Sequence, residues 1–130
     1  SQSRGLGDVY KRQVFEFRHQ SWIDDAVLDC LHRFEVALCI TEYDDRVTPF
    51  ECTAPFGYLR LRRTAYTEAE LQTWAQRLHD ARAQWGDIFT YVKHDAPEES
   101  LRYARLLQAM LSAEAPTAAP VTPIQEPSIV

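Results

Sequence analysis

The chain has 130 residues, of which 45% are hydrophobic and 25% charged, with a net charge of −5. That length accommodates about one domain, and the acidic balance, with no cluster of Lys and Arg, disfavours a general nucleic-acid-binding surface. The longest apolar runs, about five residues, fall far short of the roughly 20 needed to cross a bilayer, so neither nucleic acid nor membrane is an expected partner. No apolar signal-peptide core stands near the N-terminus. The three cysteines, Cys30, Cys39 and Cys52, are odd in number and form no CxxC. They support neither a disulfide framework nor a zinc site, and a cytoplasmic compartment is expected. Cys30 and Cys39 sit among apolar neighbours and read as small core residues.

Residues 1–13 show no periodicity, and Asp8 to Gln13 looks like the translated end of a transposon-based sequencing adapter. They read as a non-native or disordered leader. The first strand is then expected over Val14–Arg18, where Phe15 and Phe17 alternate with Val14, Glu16 and Arg18. Ser21 is placed to cap a helix reaching Phe34, with Ile23, Val27, Leu31 and Phe34 at helical spacing. Val36–Tyr43 is a strongly apolar second strand. Residues 44–56 contain two prolines and read as a loop long enough to be functional.

A third strand is expected over Gly57–Arg62. Thr67 and Glu70 then form a capping box, and Tyr66 and Leu71 occupy the positions of a hydrophobic staple. The helix they open carries Leu71, Trp74, Ala75 and Leu78 on one stripe. Gly86 stands where a helix C-terminus favours a left-handed residue. Ile88–Lys93 is the fourth strand, and Pro97 opens a last helix reaching Leu111. From Ala113 onward four prolines predict an irregular tail. The domain is therefore 14–112, with 113–130 outside it.

Strands alternating with helices predict a parallel α/β sheet. One face of each strand is apolar. The other gathers Glu and Arg toward its C-terminal end. A doubly wound sheet has both faces covered and reads as nearly continuous apolar runs. A barrel instead carries its charged groups at the C-terminal mouth. About four strands with three outer helices make half of an eight-stranded barrel, so the expected fold is a partial TIM-like (β/α) barrel.

Phe15-Glu16-Phe17-Arg18-His19 with Ser21-Trp22, then Tyr58-Leu59-Arg60-Leu61-Arg62 with Tyr66, then Ile88 to Asp95 followed by Ala104, resembles the family called domain of unknown function 72, or YecE-like, over residues 14–111. The resemblance implies the C-terminal half of a single-domain barrel about twice this length. The family's N-terminal half, with its Gly-Trp-Ser-Tyr type of opening, has no counterpart. Arg60-Leu61-Arg62-Arg63 replaces the family's Arg-Leu-His-Gly, and Lys93-His94-Asp95 replaces an Asn-rich strand end. Both departures lie at the expected mouth, and the family brings no settled activity.

The residues expected at the mouth are Glu16, Arg18, His19, Thr41, Glu42, Asp44, Arg60, Arg62, Lys93, His94 and Asp95. Adjacent strands lie about 4.8 Å apart, so these groups can converge. Arg presents a fork suited to carboxylate or phosphate. Arg18, Arg60, Arg62 and Lys93, with Asp95 beside them, therefore form a candidate ligand-binding set for a small anion. Glu16 and His19 are the candidate acid–base pair. A structural reading stands beside this one: Glu16 with Arg60 as an internal ion pair, His19 as a surface residue, Asp95 as a cap, and Trp22 and Trp74 as core. Glu42, Asp44 and Asp45 lack the spacing of a calcium loop. No metal or cofactor is expected, and no P-loop, GxGxxG, GxSxG or HExxH occurs.

Two functional expectations result. The first is a truncated member of this barrel family whose parent binds a small anionic ligand at the mouth. The alternative is a non-enzymatic scaffold or interaction protein whose inner charges are structural. A half-barrel also leaves strand edges open, so self-association through them is expected.

Overall fold

The computed structural model describes residues 12–114 and 128–129. Four strands, β1 (Val14–Glu16), β2 (Ala37–Glu42), β3 (Phe56–Leu61) and β4 (Asp87–Val92), run parallel. A short β5 (Ser128–Ile129) adds to the far side of β1, so the sheet order is β4-β3-β2-β1-β5. The sheet does not close. This is the open, partial α/β barrel that the alternating strand faces predict.

Three helices, α1 (Asp25–Arg33), α2 (Glu68–Ala81) and α3 (Pro97–Glu114), accompany the strands. α2 starts where the capping box places it: Thr67 Oγ1 accepts from Glu70 N–H, and Glu70 accepts from Thr67 N–H at 2.9 Å. Tyr66 and Leu71, the staple pair, are both buried in one core cluster. That cluster unites the outward residues of the sheet, Ile40, Leu59, Leu61 and Val92, with Leu71, Trp74 and Leu78 of α2 and Tyr103 and Leu107 of α3. A smaller outer cluster joins Leu38 to Leu31 of α1. The inner face has its own cluster of Val14, Ala37, Cys39, Phe56 and Tyr58. The period-2 alternation thus separates two environments within each strand.

Several expectations are corrected. β1 ends at Glu16, and the chain bends at Arg18 and His19. A three-residue 3₁₀ turn at Gln20–Trp22 follows, with His19 as its cap. Asp24, not Ser21, caps α1, its carboxylate accepting from Val27 N–H at 2.9 Å. Ser21 is unavailable because its hydroxyl and its N–H both engage His19 Nδ1. Trp22 is 57% exposed rather than core, stacked on Phe17 at 6.3 Å. Cys30 is also exposed, while Cys39 is buried.

Phe34 is exposed too, because α1 ends under it in a Schellman arrangement. Val36 N–H bonds to Leu31 C=O and Glu35 N–H to His32 C=O. The left-handed position falls on Glu35, at φ 53°. Gly86 has no positive φ; it opens β4, donating its N–H to Pro55 C=O at 2.9 Å.

The segment between β2 and β3 contains no helix. It folds back along β2 and is pinned at three levels. Val47 bridges Glu42, Thr48 exchanges hydrogen bonds with Thr41, and buried Thr53 links Val36 C=O to Leu38 N–H. Phe50 plugs it onto Trp74 and Trp85, with ring centroids 6.4 and 5.1 Å away. The expected irregular tail lies outside the described residues except for the end of α3, which runs to Glu114, and β5. Of residues 1–13, Arg12 and Gln13 are described. Gln13 C=O accepts from Ala37 N–H, and Arg12 pairs with Asp87 at 2.8 Å.

Candidate functional site

The polar end of the inner face is built from three adjacent strands. Glu16 ends β1, Thr41 lies near the end of β2, and Arg60 near the end of β3. All three are buried. Arg60 Nη1–H donates to Glu16 Oε1 at 2.6 Å, and the Thr41 hydroxyl donates to Glu16 Oε2 at 2.6 Å. Each carboxylate oxygen therefore has a donor, which a buried charge requires. Tyr91, beside Arg60 in the β3–β4 register, sets its ring 5.7 Å from the guanidinium carbon.

Arg62 and Lys93 stand one step further along the same face. Leu61 and Val92 are register partners, and Lys93 N–H continues the ladder by donating to Leu61 C=O at 2.9 Å. Arg62 and Lys93 are therefore neighbours on adjacent strand ends. Arg62 is half-buried, with its guanidinium 5.4 Å from the Tyr43 ring, and Lys93 is exposed. Neither makes an ion pair among the described residues.

The remaining candidates lie elsewhere. Arg18 and Asp95 are exposed and make no hydrogen bond or ion pair among the described residues. His19 caps the 3₁₀ turn, with Ser21 as its hydrogen-bond partner, and makes no hydrogen bond or ion pair with Glu16 among the described residues. Glu42 points to the outer face, where it accepts from Trp74 Nε1–H at 3.0 Å. Nearby Tyr66 has its hydroxyl pushed well above the usual range, first by burial, with Glu42 adding to the shift. Asp95 does not cap α3. Just before the helix the His94 ring accepts Ala96 N–H at Nδ1 at 2.9 Å, while Ala96 C=O accepts from Glu99 and Ser100 N–H.

With Nδ1 so engaged, His94 Nε2–H donates to Thr64 C=O at 2.7 Å, a tautomer assigned from its partners. Thr64 in turn donates both its N–H (2.7 Å) and its hydroxyl to the Asp44 carboxylate. The loops after β2, β3 and β4 are thereby stitched together at the mouth through Thr64. Those two bonds, with Arg63 close by, hold the Asp44 carboxyl below its usual range. In the sequence Thr64 belongs to no motif. Its only signal is a hydroxyl in the loop following a strand.

A shallow groove of about 260 Å³ opens at the opposite end of the sheet, beside Glu35, Cys52 and Pro55. Burial first, then Glu51, pushes the Cys52 thiol up, away from the thiolate form. Among the described residues no group of His, Cys, Asp and Glu could hold a metal ion. No helix there is long and apolar enough to cross a membrane.

The family model of a protein of unknown function, DUF72, matches residues 6–127. The chain belongs to the DUF72 family. A DUF72 family protein from Enterococcus faecalis V583 shares the fold at TM-score 0.63 and 14% identity, over 78% of this chain and 49% of that one. Another from Thermotoga maritima MSB8 gives TM-score 0.61 and 17% identity, over 78% and 48%. At such identities the likeness concerns the fold alone. This DUF72 chain spans about half the length of those solved relatives. No curated protein matches it. The Glu16–Thr41–Arg60 cluster therefore belongs to a DUF72 sheet with parallel strands that is left open.

Proposed function

We propose that this DUF72 protein binds a small carboxylate- or phosphate-bearing molecule at the C-terminal end of its inner face. The observation that carries the reading is the succession Arg60, Arg62 and Lys93 beside a single buried carboxylate, Glu16. Glu16 and Thr41 hold Arg60, while Arg62 and Lys93 sit side by side at the surface without ion pairs among the described residues. Guanidinium and ammonium groups so placed offer a forked and a point-like donor to one anion. Arg18 and Asp95 flank this mouth from exposed loops. Any acid–base step would fall to Glu16 and His19. Glu16 would have to exchange a bond to Arg60 or Thr41 in order to take a proton.

Inorganic phosphate and succinate are the probes. Either should raise the melting temperature in a saturable way, and the shift should vanish in Arg62→Ala/Lys93→Ala. Absence of any shift with both probes, or a shift untouched in the double variant, overturns the reading.

A second reading is favoured by one observation: both oxygens of Glu16 are already engaged in a buried site. In it, the inner charges are structural and the protein is a non-enzymatic scaffold. This reading expects Arg60→Met to lose stability and neither phosphate nor succinate to shift the melting temperature of the unsubstituted chain; a saturable shift abolished in Arg62→Ala/Lys93→Ala counts against it.

A further inference from the structure

The inner face carries its side chains in layers, because the parallel strands run in register. Thr41, Arg60 and Tyr91 are register partners in one such layer. Arg62 N–H donates to Glu42 C=O at 2.9 Å, and Lys93 N–H to Leu61 C=O at 2.9 Å, so both ladders run one step past the strands. By the strand's period of 2, Tyr43, Arg62 and Lys93 form the next layer, at the mouth.

The chain reverses after β2 through a tight turn. Tyr43 N–H donates to Arg46 C=O at 2.8 Å, and Val47 bridges Glu42 in the antiparallel sense. Tyr43 and Arg46 face each other across that turn, and residues so paired share a face. The Arg46 guanidinium carbon accordingly stands 4.2 Å from the centre of the Tyr43 ring, and that of Arg62 stands 5.4 Å from the same ring. The segment that carries Arg46 is fastened in place. Thr48 exchanges hydrogen bonds with Thr41, and Gln20 Nε2–H donates to Val47 C=O at 3.3 Å.

One tyrosine thus gathers two guanidiniums, with Lys93 beside the second. Two carboxylates stand close by. Each Asp44 oxygen accepts from Thr64, and the group lies by Arg63. Asp45 stands 3.6 Å from Arg46, in a solvent-exposed pair that is readily exchanged. Cations gathered in this way repel one another, and a ligand with several negative charges relieves the repulsion.

We infer that Arg46 is the third cation of the anion site, positioned by the Tyr43 ring, and that the site selects molecules bearing two anionic groups on a short spacer over molecules bearing one. The inference rests on the binding role given above to Arg62 and Lys93. The first anionic group meets Arg62 and Lys93, and the second meets the forked guanidinium of Arg46. Tyr43 is a positioning residue, acting through the two guanidiniums that its ring holds.

Calorimetric titration with inorganic phosphate and with pyrophosphate, at one fixed ionic strength, tests this. Pyrophosphate is expected to bind the unsubstituted chain about tenfold more tightly than phosphate. Arg46→Ala should weaken pyrophosphate about tenfold and phosphate by less than about twofold. Arg46 is exposed, so a native melt is expected of that variant. Tyr43→Phe keeps the ring and should keep the preference, whereas Tyr43→Leu should reduce it about two- to fivefold. Arg33→Ala removes the same charge at the opposite end of the sheet, where α1 ends, and should leave the preference unchanged.

Equal affinity for the two anions overturns the inference. So does a preference that survives Arg46→Ala, or one that Arg33→Ala lowers as much, since bulk charge then accounts for it. Full preference in Tyr43→Leu overturns the positioning role. Phosphate binding that persists in these cases leaves the role of Arg62 and Lys93 standing. Binding of neither anion removes both readings together.

Discussion

The Arg60 guanidinium reaches across β2 to meet the Glu16 carboxylate at 2.6 Å, with side chains only 5 and 6% exposed. A buried ion pair is seldom worth much against a well-packed apolar alternative, yet breaking it on one side strands a charge in a poorly solvated place. Arg60→Met should therefore cost about 3–5 kcal/mol, whereas Glu16→Leu/Arg60→Met should recover much of that loss. Urea unfolding of the two variants measures the difference. Equal losses in both would show that packing, not the stranded carboxylate, sets the cost.

Gly57 lies in β3 with the Trp85 ring pressed against it, so that a methyl group there would come within 2.4 Å of ring carbons. Trp85 is itself 2% exposed and held by Phe50. Gly57→Ala should destabilise by about 1–3 kcal/mol or more through overpacking. In Gly57→Ala/Trp85→Leu the two effects should be less than additive, because the ring that clashes is gone. Thermal melts of the four species complete the cycle, and strict additivity would contradict the contact.

Glu35 occupies the left-handed position that ends α1, at φ 53°. A side chain there is strained, and glycine relieves it. Glu35→Gly should stabilise the fold by about 0.5–1 kcal/mol, while Glu35→Val should destabilise it. Chemical unfolding of both variants checks the sign, and a loss of stability in the glycine variant would count against the strain.

Asp44, Glu70 and Glu99 are all held below their ordinary values. The Thr64 hydroxyl acts first on Asp44, the Thr67 N–H first on Glu70, and Arg102 first on Glu99. Lowered folded-state values mean that these groups contribute stability above their ordinary 3.8 and 4.5, and that it is lost as pH falls through the lower folded values. The melting temperature should hold near neutral pH and decline below about pH 5. Thr64→Ala should flatten the Asp44 part of that decline. Identical acid limbs for Thr64→Ala and the parent protein would remove Asp44 from the account.

Much of this was legible from residue order. The Thr67–Glu70 box and the Tyr66–Leu71 staple depend on contacts within one helical turn, and they stand where spacing puts them. The alternation of Phe15 with Glu16 and of Leu59 with Arg60 told which side of the sheet is polar, because strand geometry allows only two directions. Less legible was the start of α1. Ser21 and Asp24 are both good caps, and the choice turned on Ser21 being taken by His19. Trp22, Phe34 and Cys30 have apolar side chains, but burial depends on what lies opposite them, which local pattern does not encode.

The sequence alone determined the parallel α/β half-barrel and the family, since both rest on periodicities and motifs short enough to be read locally. Tertiary structure decided which charges meet. Glu16 takes Arg60 rather than Arg18 because β1 ends at Glu16 and the chain turns Arg18 outward, while β3 delivers Arg60 inward two strands away. It also decided that Thr64 ties Asp44 to His94, a contact among three loops distant in sequence. Pairing of buried charges is settled by strand register and by where a strand stops, and both are properties of the assembled sheet.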